Sequence, residues 1–134
     1  MKTTKNIIIA ALSILVYCNG YAQKGDTTNI VKINPKENDS TEYKLIVLDP
    51  GFESYLITQP PKAYYTENYY KNWNAQYVTE WNIRYISQAS SDLYETQINY
   101  DPKTNYGLEL EYRLYYFFRY FEKKNHVTLV QRGR

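Results

Sequence analysis

The sequence predicts a small α+β domain in which two long amphipathic helices and a short helical turn pack on a minimal two-stranded sheet. Three observations carry that expectation. Aromatic residues recur every four positions between Thr66 and Ser87, and Leu110, Leu114, Phe117, Phe118 and Phe121 follow helical spacing. Two short runs of β-forming residues, Tyr43–Leu48 and Val127–Val130, flank these helices.

The chain opens with a different kind of segment. Lys2 and Lys5 precede the apolar run Ile7–Val16, and Gly20-Tyr21-Ala22 places small residues three and one before Gln23. That pattern predicts a signal peptide over residues 1–22, cleaved after Ala22, and so an exported protein, periplasmic or secreted. A membrane-spanning helix needs about 20 apolar residues, and Asn19, Gly20 and Gln23 interrupt this run too soon. No transmembrane span is therefore expected after cleavage. Cys18 offers an alternative, lipid anchoring at the outer membrane. Leu15 stands three residues before it, as in a lipoprotein signal, but bulky Tyr17 occupies a position that normally takes a small residue, so the pattern favours release.

Cys18 is the sole cysteine, so cleavage after Ala22 leaves a chain without disulfides, zinc thiolates or a cysteine nucleophile. A domain of roughly ninety residues must then be held by its own apolar core. The whole chain carries a formal charge of +2, and losing Lys2 and Lys5 balances 14 acidic residues with as many basic ones. Such a balance provides no field to recruit nucleic acid. Lys123, Lys124, Arg132 and Arg134 gather near the C-terminus, as suits a solvated helix end and a frayed terminus.

Residues 23–41 are polar, poor in aromatics and punctuated by Pro35 and Asn38-Asp39-Ser40, which predicts a flexible tether. Asn38-Asp39-Ser40 also matches a glycosylation sequon, a match common by chance that requires a eukaryotic secretory route. The domain itself is expected over residues 42–131. It begins with the strand Tyr43–Leu48, then Asp49-Pro50-Gly51, where Pro50 and Gly51 suit the centre of a tight turn. Phe52, Tyr55 and Leu56 predict a helical turn or two before Pro60-Pro61 stops it.

The segment Thr66–Ser87 is the most informative. Tyr69, Trp73, Tyr77, Trp81 and Tyr85 drift only about 40° per four-residue step around a helix, so with Tyr70 and Val78 they share one broad face. Thr66 is the expected N-cap and Glu67 suits the first turn. A loop over 99–105, broken by Asp101-Pro102, leads to the second helix, with Asn105 as its cap and Lys123, Lys124 and Asn125 at its C-terminal end. The tail Val127–Val130 is expected to lie beside the first strand.

Seventeen tyrosines, of which Tyr17 and Tyr21 fall in the leader, make the composition unusual. Tyrosine buries a large ring while keeping a wet tip, so it builds cores in small domains and also sugar-stacking or protein-contact surfaces. Each buried Trp or Tyr removes about 150–250 Å² from water, roughly 4–6 kcal/mol as an upper value. A small domain without cross-links needs that contribution, which favours a core role for Trp73, Tyr77 and Trp81 over a ligand platform.

Catalytic chemistry finds little support. The sole histidine, His126, falls at a helix end and suits a capping or exposed role. Asp49 and Glu53 resemble a carboxylate pair for glycoside hydrolysis only in being close in sequence. Glu80, Glu109 and Glu111 are expected on helix surfaces. No catalytic residue, metal ligand, phosphate loop or cofactor is assigned. The tyrosines in excess of two helix faces point instead to a binding surface at Tyr64, Tyr65 and Tyr70, beside Pro60-Pro61, for an envelope protein or a glycan. The rival is a small carboxylate-dependent hydrolase acting on a cell-wall sugar through Asp49 and Glu53.

Tyr43-Lys44-Leu45 leading to Asp49-Pro50-Gly51-Phe52, Asn72-Trp73-Asn74 through Glu80-Trp81-Asn82, and Ile98-Asn99-Tyr100-Asp101-Pro102 before Tyr106-Gly107-Leu108 carry a family likeness. Over about Tyr43 to Asn125 the chain resembles a family of small exported proteins of Bacteroidetes bacteria whose domain has no assigned function. The resemblance implies an envelope location and no particular activity or site. Many members resemble lipoproteins with a better acylation site than Leu15-Val16-Tyr17-Cys18.

Overall fold

A computed structural model describes residues 31–36, 39–90 and 92–133. The leader with Cys18, the first part of the expected tether and the sequon's Asn38 lie outside the described residues. Within them the chain forms an α+β fold, as its patterning predicts. Strand β1 (Val31–Lys36) pairs antiparallel with β2 (Asp39–Val47), followed by helices α1 (Pro50–Ile57), α2 (Glu67–Ile86) and α3 (Leu108–Asn125), with a single 3₁₀ turn at Lys62–Tyr64. No helix among the described residues is long and apolar enough to cross a membrane.

The sheet corrects two expectations. Strand β1 comes from the segment expected to be a tether, with Val31 opposite Val47, Ile33 opposite Leu45 and Pro35 opposite Tyr43 before the register breaks at Lys36. Val31 and Leu45 are buried while Lys32 and Asn34 are exposed, so one face of this ribbon joins the core. A proline in β1 is tolerable because each strand of a two-stranded ribbon is an edge. The tail Val127–Val130, expected in the sheet, is not a strand. Its Leu129 and Val130 N–H groups donate to Glu122 Oε1 at 2.8 and 3.4 Å, and Arg84 Nη2 donates to the Thr128 carbonyl at 2.7 Å. Helix side chains thus satisfy backbone groups that a strand partner would otherwise have to meet.

Asp49-Pro50-Gly51 opens α1 directly instead of forming a separate tight turn. Asp49 Oδ1 accepts from Gly51 N at 2.9 Å as N-cap, and Pro50 occupies the first helical position, where a missing N–H costs nothing. Tyr120 Oη donates to the same Oδ1 at 2.9 Å and Lys124 bonds the other oxygen, tying α1 to α3. A Cβ at Gly51 would displace the Tyr120 hydroxyl from this bond.

Helix α2 starts as its sequence signals, with Thr66 Oγ1 accepting from Tyr69 N at 3.2 Å. Its apolar stripe is divided more finely than a seven-residue face. Tyr70, Tyr77, Val78 and Trp81 are buried, Tyr69 and Trp73 are half-buried along the edge, and Tyr85 is exposed. Asn74, which the stripe omits, is fully buried.

Helix α3 is the centre of the molecule. Leu110, Leu114, Phe117, Phe118 and Phe121 are all buried, as the spacing predicts, and so are Glu111, Tyr112, Tyr115 and Tyr116. A helix covered this widely is a core helix, exposed mainly at its two ends. Phe118 stacks on Tyr77 at 4.9 Å, Phe121 meets Trp81 edge-on at 4.7 Å, and Phe117 meets Phe52 of α1 at 6.1 Å. Gly107, with φ +84°, is the N-cap; Asn105 instead accepts from Gly107 N at 3.2 Å one step earlier. Exposed His126 adopts the left-handed conformation that ends α3, and Asn125 donates to the Phe121 carbonyl at 3.0 Å.

The link between α2 and α3 is irregular but anchored. Trp81 Nε1 donates to the Thr96 carbonyl at 2.8 Å, and Asn82 exchanges two bonds with the Ile98 backbone at 3.0 and 2.9 Å. These bonds hold Tyr94 and Ile98 in the core. Trp81→Ala is expected to cost about 3–5 kcal/mol in urea denaturation. Tyr85→Ala, four residues along the same stripe but solvent-facing, is expected to stay within about 0.5 kcal/mol of the parent.

Candidate functional site

The three tyrosines singled out from the sequence do not share one environment. Tyr64 closes the 3₁₀ turn, its N–H donating to the Pro61 carbonyl at 2.8 Å, and is 62% exposed. Tyr65 is half-buried beside it, with ring centroids 4.7 Å apart and planes at 88°. Tyr70 is fully buried, packed edge-on to Tyr112 at 5.7 Å and tilted against Tyr115 at 5.3 Å. It is a core residue and presents no contact surface. Adjacent helix positions lie about 100° apart, so the wall of α3 admits Tyr70 and leaves Tyr69 at the edge.

Tyr69 is the residue that extends the surface. It stacks on Tyr65 at 4.0 Å with planes 16° apart, and meets Trp73 edge-on at 6.4 Å. The rings of Tyr64, Tyr65, Tyr69 and Trp73 form a ladder running from the 3₁₀ turn along the edge of α2. At its far end the Arg132 guanidinium lies 4.3 Å over Trp73 and 5.0 Å over Tyr115, and bonds the Tyr115 hydroxyl. The sequence signal for Tyr69 and Trp73 was their i, i+4 spacing, which matches the core stripe equally well.

Asp49 and Glu53 both have structural partners. Asp49 is buried; burial alone would raise its pKa, but Lys124, the Gly51 N–H and the Tyr120 hydroxyl outweigh that and hold it below the usual carboxylate range. Glu53 is exposed and paired with Arg113, whose guanidinium also lies 5.5 Å over the Phe52 ring. Among the described residues, no group of three or more His, Cys, Asp or Glu side chains is placed to hold a metal ion.

Glu111 departs from its expected surface position. Its carboxyl is fully buried, accepting from Asn74 Nδ2 at 2.7 Å and from the Tyr100 hydroxyl at 3.2 and 3.1 Å. Asn74 Nδ2 also reaches the Glu111 carbonyl at 2.9 Å, while Asn74 Oδ1 has no partner among the described residues. Burial raises the Glu111 pKa, against the opposing pull of Asn74, Tyr100 and Lys71. Of the other two acids expected on helix surfaces, Glu80 is paired with Arg84 at 2.8 Å, and Glu109 is exposed and paired with Lys62 at 2.8 Å.

A raised carboxyl pKa means that the folded chain binds the proton more tightly than the unfolded one, so stability falls as pH rises from about 4.5 through the folded pKa. Glu111→Gln keeps the shape and removes this dependence. In urea denaturation followed from pH 4 to 8, the variant's stability relative to the parent is expected to rise across that window and then level off.

Comparison with known proteins adds a family and no activity. Residues 6–132 match a family of unknown function, DUF6146. No curated protein and no solved structure gives a significant match. Because that match spans nearly the whole chain, this protein belongs to the DUF6146 family of unknown function.

Proposed function

We propose that this chain is a non-enzymatic module of the bacterial cell envelope that contacts a protein or glycan partner through the aromatic ladder. Export rests on the leader pattern of residues 1–22, and an origin in Bacteroidetes on the resemblance carried by the Tyr43–Asn125 motifs. Attachment through Cys18 is the alternative to release. The observation that carries the binding reading is that Tyr64 is 62% exposed although Tyr65, stacked on Tyr69, already holds its edge. A ring held this way loses little freedom on meeting a partner, and aromatic side chains dominate the centres of contact surfaces.

Sugar rings and apolar side chains both pack on such rings, and Lys62 beside Tyr64 supplies a polar rim. The hydrolase reading is not carried forward, since the Asp49 carboxylate is committed to capping α1 and to Lys124.

The test uses the chain with residues 1–22 removed, titrated against peptidoglycan fragments and against envelope proteins captured from an extract. Changing Tyr64 and Tyr65 together to Ala is expected to weaken binding at least about tenfold, as loss of a contact centre does. Unchanged binding with unchanged thermal stability removes the ladder from the proposal. Intact mass of the exported product is expected to correspond to a chain beginning at Gln23.

A further inference from the structure

The far end of the ladder holds a cation in an aromatic enclosure. Arg132 places its guanidinium 4.3 Å over Trp73, 5.0 Å over Tyr115 and 6.0 Å over Tyr77, and Nη2 donates to the Tyr115 hydroxyl. Tyr69 joins this enclosure to the ladder, meeting Trp73 at 6.4 Å and Tyr115 at 5.9 Å, edge-on to both.

No carboxylate accounts for the position. Among the described residues Arg132 forms no ion pair, and the neighbouring Arg119, itself paired with Glu122 at 2.9 Å, carries charge of the same sign. Arg132 Nε is buried without a hydrogen-bond partner among the described residues. Ring faces and one phenol therefore hold the guanidinium, and a flat, weakly hydrated cation is the group that such faces favour. The buried, unpaired Nε–H weakens the contact and makes it exchangeable.

The tail can withdraw this side chain without disturbing the core. Its anchors lie earlier, at the buried Leu129 side chain and at the Leu129 and Val130 N–H groups bonded to Glu122. Gln131 and Gly133, on either side of Arg132, are exposed, and a Cβ at Gly133 would meet nothing within 4 Å. Arg132 also lines an open cleft of about 410 Å³ with Arg119, Glu122 and Val130, so it is reached from solvent. Its departure would bare the faces of Trp73 and Tyr115 beside Tyr69.

We propose that Trp73, Tyr77 and Tyr115 form a binding site for an arginine side chain of a protein partner, which Arg132 fills in the free chain and vacates when that partner engages the ladder. Arg132 is thus an internal competitor, and the incoming group has the chemistry of the group already seated. The partner is the one inferred for Tyr64 and Tyr65, so the proposal rests on that reading and extends it.

NMR titration of the chain lacking residues 1–22 with blocked Gly-Arg-Gly and Gly-citrulline-Gly peptides, followed at the Trp73 and Tyr115 amides, tests the site. Arg132→Ala is expected to bind the arginine peptide at least about tenfold more tightly than the parent, and to bind the neutral citrulline peptide at least about tenfold more weakly than the arginine one. Adding Trp73→Leu to Arg132→Ala is expected to abolish saturable binding. Thermal unfolding checks each variant, and Arg132→Gln takes the place of Arg132→Ala if the latter does not unfold cooperatively. Equal affinity of parent and variant for the arginine peptide, no binding to the variant, equal binding of citrulline, or binding that survives loss of the Trp73 ring overturns the proposal. The peptide titration does not depend on Tyr64 or Tyr65, and capture from an extract does not depend on Arg132, so failure of the ladder reading and failure of this one are told apart.

Discussion

Burial of the aromatic surface of α3 is the constraint on which the other contacts depend. Phe117, Phe118 and Phe121 are almost without solvent contact, and each touches a ring from another element: Phe52 of α1, Tyr77 and Trp81 of α2, and Tyr94 of the link. All four covering rings come from residues that precede α3 in the sequence. Large ring-on-ring contacts give a domain without cross-links its apolar burial in few residues. They also fix α1 and α2 against α3, and with α2 the edge that carries the ladder.

Polar side chains do the complementary work of closing the irregular segments. Asn82 and Trp81 hold the link at Ile98 and Thr96, and Glu122 receives the tail's N–H groups while accepting from Tyr77 at 3.2 Å and Arg119 at 2.9 Å. Lys124 and Tyr120 fasten the cap of α1 from the far end of α3. Segments with little regular structure are thereby fixed by side chains projecting from helices, which satisfies backbone groups that the core would otherwise strand.

The helices were legible in the sequence because their signals are local. Thr66 caps α2, and the spacing from Leu110 to Phe121 marks α3, each through residues within a few turns of one another. The strand Val31–Lys36 was not legible, since its Val31 and Ile33 stand in a largely polar run and become a strand through pairing with Leu45 and Val47, more than ten residues away. Glu111 was hidden for the same reason: a glutamate in Leu-Glu-Leu-Glu-Tyr looks solvent-facing until Asn74 and Tyr100 arrive from elsewhere. At the candidate site, the choice between Tyr69 and Tyr70 as the outward ring depended on the position of α3 across the interface, which no spacing within α2 encodes.

Filling an interior with phenols instead of phenylalanines sets a ceiling on the alkaline side. Burial raises the pKa of Tyr70, Tyr112, Tyr115 and Tyr116, so their hydroxyls stay neutral in the native chain under conditions where a solvated phenol ionises. The unfolded polypeptide loses those protons first, near pH 10, and every further increase in pH draws the equilibrium toward it. Strong base therefore works against the folded domain through the rings of its own interior.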